Sequence, residues 1–147
     1  MKVEHFLTLT QPWATLMAVG AKKVETRSWP IRFRGWFAIH AAKGFPADCQ
    51  QLCFAQPFAG VLEAAKYRGP ADLPLGKVLA VARLIDCKAT EQLQLIVDDT
   101  ERSFGDYSER RYGFVTEGLR RLKAPFALRG LQRLQRLPSP ILEADLI

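Results

Sequence analysis

Leu7-Thr8-Leu9-Thr10-Gln11-Pro12-Trp13-Ala14-Thr15-Leu16, followed by Gly20-Ala21-Lys22-Lys23-Val24-Glu25-Thr26-Arg27-Ser28-Trp29, is the stretch on which the fold turns. Phe6, Leu7 and Leu9 make a short apolar strand. Thr10 offers an N-cap, and Pro12 falls in the first helical turn, where its missing N–H does no harm. Trp13, Leu16 and Met17 recur at helical spacing, which predicts a helix over about Gln11 to Val19 with that face buried. Gly20 suits the position just past the helix end, where positive φ favours glycine. Lys22 to Trp29 then alternates as a strand, with Val24, Thr26 and Ser28 on one side and Lys23, Glu25 and Arg27 on the other. Pro30 stops it.

Working outward, Gly35 to His40 is a second strand, and the intervening turn or edge carries Arg32 and Arg34. Phe45 to Lys66 is rich in alanine and breaks near Gln56-Pro57, as two helices or a helix and a loop would. Arg68-Gly69-Pro70 and Leu73-Pro74-Leu75-Gly76 are loop signals. Lys77 to Ile85 is the clearest strand, and its near-continuous apolarity implies burial on both faces. Asp86 to Glu109 predicts a short helix and a flexible loop. Tyr112 to Leu122 reads as one bulged strand and Phe126 to Leu128 as another, and the Leu131, Leu134, Leu137 pattern ends at Pro138. Short strands with helices inserted between them predict one α+β domain over 1–147, built as a small, mostly antiparallel β-barrel rather than from βαβ units.

The 147 residues, 48% hydrophobic and 24% charged, describe a soluble globular chain of one domain. No apolar run approaches the roughly 20 residues that span a bilayer, and Met1 to Thr10 lacks a signal-peptide core, so a cytoplasmic protein with no membrane partner is expected. The three cysteines, Cys49, Cys53 and Cys87, form no CxxC pair, and His5 and His40 show no ligand spacing, so neither a metal nor another cofactor is expected. The net charge of +6 favours an anionic partner. Lys22, Lys23, Arg27, Arg32, Arg34 and Lys43 form one basic segment, and Arg110 to Arg136 a second. The acidic stretch from Asp86 to Glu109 separates them, giving a polarised molecule.

Gly20, Lys22, Glu25 and Arg27 fill the pattern GxKxxExR without a gap, and the chain resembles the ASCH (activating signal cointegrator homology) domain. Gln11-Pro12-Trp13-Ala14 before the pattern agrees, as do Arg34-Gly35 and His40-Ala41-Ala42-Lys43 after it. Gly76 to Cys87 resembles the family's central strand, and Tyr112-Gly113-Phe114-Val115 and Pro125 to Gly130 its closing strands. The resemblance runs from about Phe6 to Leu137. It implies a PUA-like fold with a cleft between barrel and helices, and association with RNA or another nucleic acid. Some small members are enzymes, an amidohydrolase acting on acetylated cytidine and reported ribonucleases. The amidohydrolase members place a threonine nucleophile where this chain has Glu25, so the covalent route is not expected here.

Three apart on a regular strand, Lys22 and Glu25 would face opposite ways, so they share a cleft only if Lys22 lies in a turn or a bulge intervenes. Glu25 and Arg27 share a face and can pair. In a binding site, Lys22 and Arg27 hold phosphate while Glu25 accepts from a base amino group. In a hydrolase, Lys22 serves as base and Glu25 activates water. The bland alternative is an ion-pair network that closes the fold. Trp29 on its basic turn can stack a base, and Trp13 reads as core. His40, Lys43 and Tyr112 are further ligand-binding candidates, and Arg120 to Arg136 reads as a solvated face or an extended phosphate track. The expected function is binding of RNA or a nucleotide-like ligand around the motif. A small hydrolase on RNA or a modified nucleoside, and a coactivator-like protein-interaction domain, are the alternatives. Oligomeric state is open.

Overall fold

Six strands and five short α-helices, with two single 3-10 turns, make up the chain, and the computed structural model describes residues 1–147. In order they are β1 (Lys2–Leu9), α1 (Trp13–Ala18), β2 (Val24–Arg27), β3 (Gly35–Ala41), α2 (Ala47–Leu52), α3 (Phe58–Ala64), β4 (Lys77–Ala89), α4 (Thr90–Leu93), α5 (Asp99–Ser103), β5 (Tyr112–Ala127) and β6 (Gln135–Leu142). They form an α+β arrangement around one mixed sheet, ordered β2-β5-β4-β3-β1-β6. β1 and β3 run parallel, with Thr8 opposite His40, and every other pair is antiparallel. The barrel expected from the sequence is corrected here. β2 and β6 are edges that do not pair, and the sheet stays open. One isolated bridge, Leu122 to Leu146, ties the chain's end to β5.

The sheet is covered on both faces. Leu7, Leu9, Phe37, Ile39, Leu79, Leu84 and Phe114 pack with Met17 of α1 on one side. Val3, Phe6, Val78, Val81, Leu122 and Ile141 pack on the other. β4 lies third in the order and feeds both layers, which is why its sequence is apolar almost without alternation. No helix is long and apolar enough to cross a membrane.

α1 begins at Trp13 rather than Gln11, and the Thr10 side chain does not cap it. The buried Gln11 takes that part: its Oε1 accepts the Thr15 N–H at 2.9 Å while its Nε2 donates to Thr15 Oγ1 and Pro74 O, both at 2.8 Å. Gly20 has φ of +84°, and the Ala21 and Lys22 N–H groups both turn back to Leu16 O. That reversal aims the next residues at the sheet edge.

Near the start of β5, α4 lies so close that a Cβ on Gly113 would collide with Leu93 Cδ1 and come within 3.0 Å of Val24 Cγ1. Gly113→Ala is therefore expected to cost about 1–3 kcal/mol, read as a lower urea midpoint at unchanged slope.

Candidate functional site

Lys22 lies in the turn between α1 and β2, not on the strand, which resolves the spacing problem. Its side chain is 1% exposed and its Nζ stands 3.5 Å from Glu25 Oε1. The same ammonium donates to Val24 O and, at 3.2 Å, to Phe104 O. Three oxygens thus stand around the Lys22 Nζ and hold it in one place. Arg27 grips the other carboxylate oxygen, with Nε at 3.0 Å and Nη2 at 2.9 Å from Glu25 Oε2. Nη2 also donates to Thr8 O at 2.9 Å, so Arg27 ties β2 to β1, two strands the sheet does not pair. The Glu25 carboxylate is held in one orientation between two cations.

Two cavities meet at this network, and both are lined by Thr8 and Arg27. The first, of 490 Å³, has Glu25 and Arg27 in its wall, Trp13, Phe58 and Phe104 as aromatic surface, and Arg111 with Asp106 on its far rim. The second, of 780 Å³, is lined by Arg27, Trp29, Lys43, Arg129 and Arg133, with no carboxylate among its residues. The Arg133 guanidinium lies 4.6 Å over the Trp29 ring, whose edge meets Phe114 at 5.1 Å. Lys43, Arg129 and Arg133 take part in no ion pair. Positive charge therefore accumulates on this wall without internal compensation.

Beneath the shared wall, His40 is fully buried. Its Nε2 lies 2.6 Å from Leu128 O, an acceptor only, so Nε2 carries the proton and Nδ1 accepts from Thr8 Oγ1 at 3.0 Å. Thr8 Oγ1 in turn receives the Leu131 N–H at 3.4 Å, which pins the arginine-bearing segment to β1. Burial outweighs the hydrogen bonds to Leu128 and Gly76 and lowers the His40 pKa below its ordinary value. A histidine depressed in the folded state binds a proton more readily when unfolded. Its stabilising contribution is complete above about pH 6.5 and is lost as pH falls through the folded value. Urea midpoints taken between neutrality and pH 5 should fall more for the wild type than for His40→Gln.

On the opposite rim, α5 closes over Lys22. Glu101 Oε1 accepts the Lys23 N–H at 2.7 Å, and burial pushes the Glu101 carboxyl above the usual carboxylate range. The Tyr107 phenol beside it is likewise pushed up by burial, and its hydroxyl has no hydrogen-bond partner.

Of the residues named from the sequence, Glu25, Arg27, Trp29 and Lys43 line the paired cavities, while Gly20 and Lys22 build the turn behind them. His40 lies under the wall rather than in it. Arg32 is exposed on the loop before β3 and lines neither cavity. Tyr112 sits opposite Arg27 in the β2–β5 register and packs against the core. Thr26, expected to face away from Glu25's cavity, lines it too, because the segment after α5 folds across β2 and donates the Asp106 N–H to Thr26 Oγ1. Trp13 serves both cavity and core. Sequence reasoning missed Thr8, Phe58 and Phe104. Arg129 and Arg133 were visible only as members of a basic run.

The sequence profile of the ASCH domain matches residues 7–123, from β1 through the motif into β5. The chain belongs to the ASCH domain family. This ASCH domain is 31% identical over 137 residues to activating signal cointegrator 1 of Homo sapiens and 30% identical to that of Mus musculus. Each alignment covers 92% of this chain and 22% of the relative, so this ASCH domain spans about a fifth of the length of those relatives. Among solved structures, the ASCH protein of Zymomonas mobilis superposes with a TM-score of 0.53 at 14% identity, over 90% of this chain and 86% of that one. A single-residue variant of the same protein gives 0.52, over 90% and 88%. At that identity the likeness is one of fold. Arg129 and Arg133 lie beyond the matched region.

Proposed function

We propose that this ASCH domain binds single-stranded RNA across the two joined cavities. The observation that carries the reading is the 780 Å³ cavity, whose lining holds Arg27, Lys43, Arg129 and Arg133 around Trp29 and no acid. Four cations with three left unpaired suit phosphates, which every linkage of a nucleic acid carries whatever its sequence. Trp29, already faced by Arg133, offers a ring for base stacking. In the neighbouring 490 Å³ cavity, Glu25 presents acceptor lone pairs held in place by Lys22 and Arg27, with Trp13, Phe58 and Phe104 around them. A carboxylate so placed accepts from a base amino group. Glu25 meets the ligand, and Lys22, buried behind it and held by Val24 O and Phe104 O, acts through Glu25 as a positioning residue.

Fluorescence anisotropy with labelled single-stranded RNA tests the reading. Arg27→Ala, which removes a phosphate donor and frees Glu25, is expected to weaken binding by at least tenfold at low salt. The RNA should remain intact on a gel afterwards. RNA cut by the wild type but not by Glu25→Gln would replace binding with hydrolysis as the function.

A further inference from the structure

A third cavity, of 520 Å³, lies just across the Leu128–Arg129 backbone from the cationic one. It opens where the sheet fails to close, between the C-terminal half of β5 and β6. Leu122, Leu128 and Ile141 form apolar lining, and Phe126 stands in it 36% exposed. Its edge is basic. Lys123 lines it, and Lys77 is the register partner of Ala127, which lines it too. Both lysines are exposed and neither takes part in an ion pair. Lys43, in the wall of the second cavity, has its Cβ 3.8 Å from where a Cβ on Gly76 would stand, one residue from Lys77. Unpaired cations thus continue from Arg133, Arg129 and Lys43 to Lys77 and Lys123. The acid in the lining, Asp145, is engaged by the Leu142 N–H at 2.8 Å.

Strand addition is poorly served here, because Pro125, Pro138 and Pro140 remove backbone donors from the two strands that bound the opening. A ligand held by phosphates and ring faces fits better. We propose that this third cavity continues the RNA site: the strand crosses Leu128–Arg129, lays its phosphates along Lys43, Lys77 and Lys123, and stacks a base on Phe126. The inference rests on the RNA-binding reading and deepens it, since the ligand becomes a strand of several nucleotides and not a nucleoside.

Labelled uridine trinucleotide and nonanucleotide, titrated against the full chain, separate the two levels. The nonanucleotide is expected to bind at least tenfold more tightly to the wild type. Phe126→Ala and, independently, the surface pair Lys77→Glu with Lys123→Glu should each remove most of that advantage and leave trinucleotide affinity unchanged. An advantage that survives both variants, or is absent in the wild type, overturns the extension while the cleft stands. Failure of both oligonucleotides to bind the wild type overturns both readings.

Discussion

Lys22→Ala is expected to destabilise the domain by about 3–5 kcal/mol, the scale for removing one partner of a buried ion pair. The lysine is 1% exposed and the Glu25 side chain 12%. Its ammonium also holds Val24 O at the start of β2 and Phe104 O just past α5. The alanine would leave two carbonyls without their donor and a void where the aliphatic stem lay. Set against the roughly 5–15 kcal/mol that a domain has in total, the loss is large. Lys22→Met keeps the stem's packing and should cost less, because Glu25 still has Arg27. Urea titrations of the two variants measure both. A Lys22→Ala domain within about 0.5 kcal/mol of wild type would mean that the lysine is not structural.

Replacing Lys43, Arg129 and Arg133 together by alanine should do the reverse. These side chains are exposed and make no ion pair, and only the Arg133 contact with Trp29 is lost, so stability is expected to stay within about 1 kcal/mol of wild type. RNA affinity should fall roughly a hundredfold near physiological salt, at about 1 kcal/mol for each exposed cation. Arg32→Ala, which removes one cation from a loop that lines neither cavity, is the control for each single charge lost and should change affinity little. Lys22 would then support the fold behind the site, while the rim cations would meet the ligand.

The elements legible in the sequence were those with a strong local signal. The α1 face of Leu16 and Met17, the glycine turn at Gly20 and the doubly buried β4 all follow from spacing and apolarity. β6 was not legible because Pro138 and Pro140 mask it, although an edge strand tolerates both. β5 read as two strands because Pro125 and three register shifts interrupt the alternation of what is one strand. The open edge between β2 and β6 was invisible because closure depends on which strands meet, not on where they begin. In the site, Glu25 and Arg27 followed from period-two spacing, and Lys22 joined them through the turn that Gly20 makes. Thr8 carries no chemical signal in sequence. It enters through its backbone carbonyl to Arg27 and its hydroxyl to His40, contacts the parallel β1–β3 register creates. Arg129 and Arg133 face the cavity because the segment carrying them crosses back over β1, tied by Leu131 N–H to Thr8. A count of charge along the chain cannot distinguish them from Arg32.

The most direct test of the RNA-binding cleft is the slope of log affinity against log salt for a labelled single-stranded RNA, wild type against the Lys43, Arg129, Arg133 triple alanine variant. Each phosphate of a single strand that a protein cation neutralises releases counterions and contributes about 0.7 to that slope. The wild-type slope is expected to be steep and to become shallower by about 2 in the variant, with both proteins equally folded. Equal slopes, or no binding by the wild type at low salt, would contradict it.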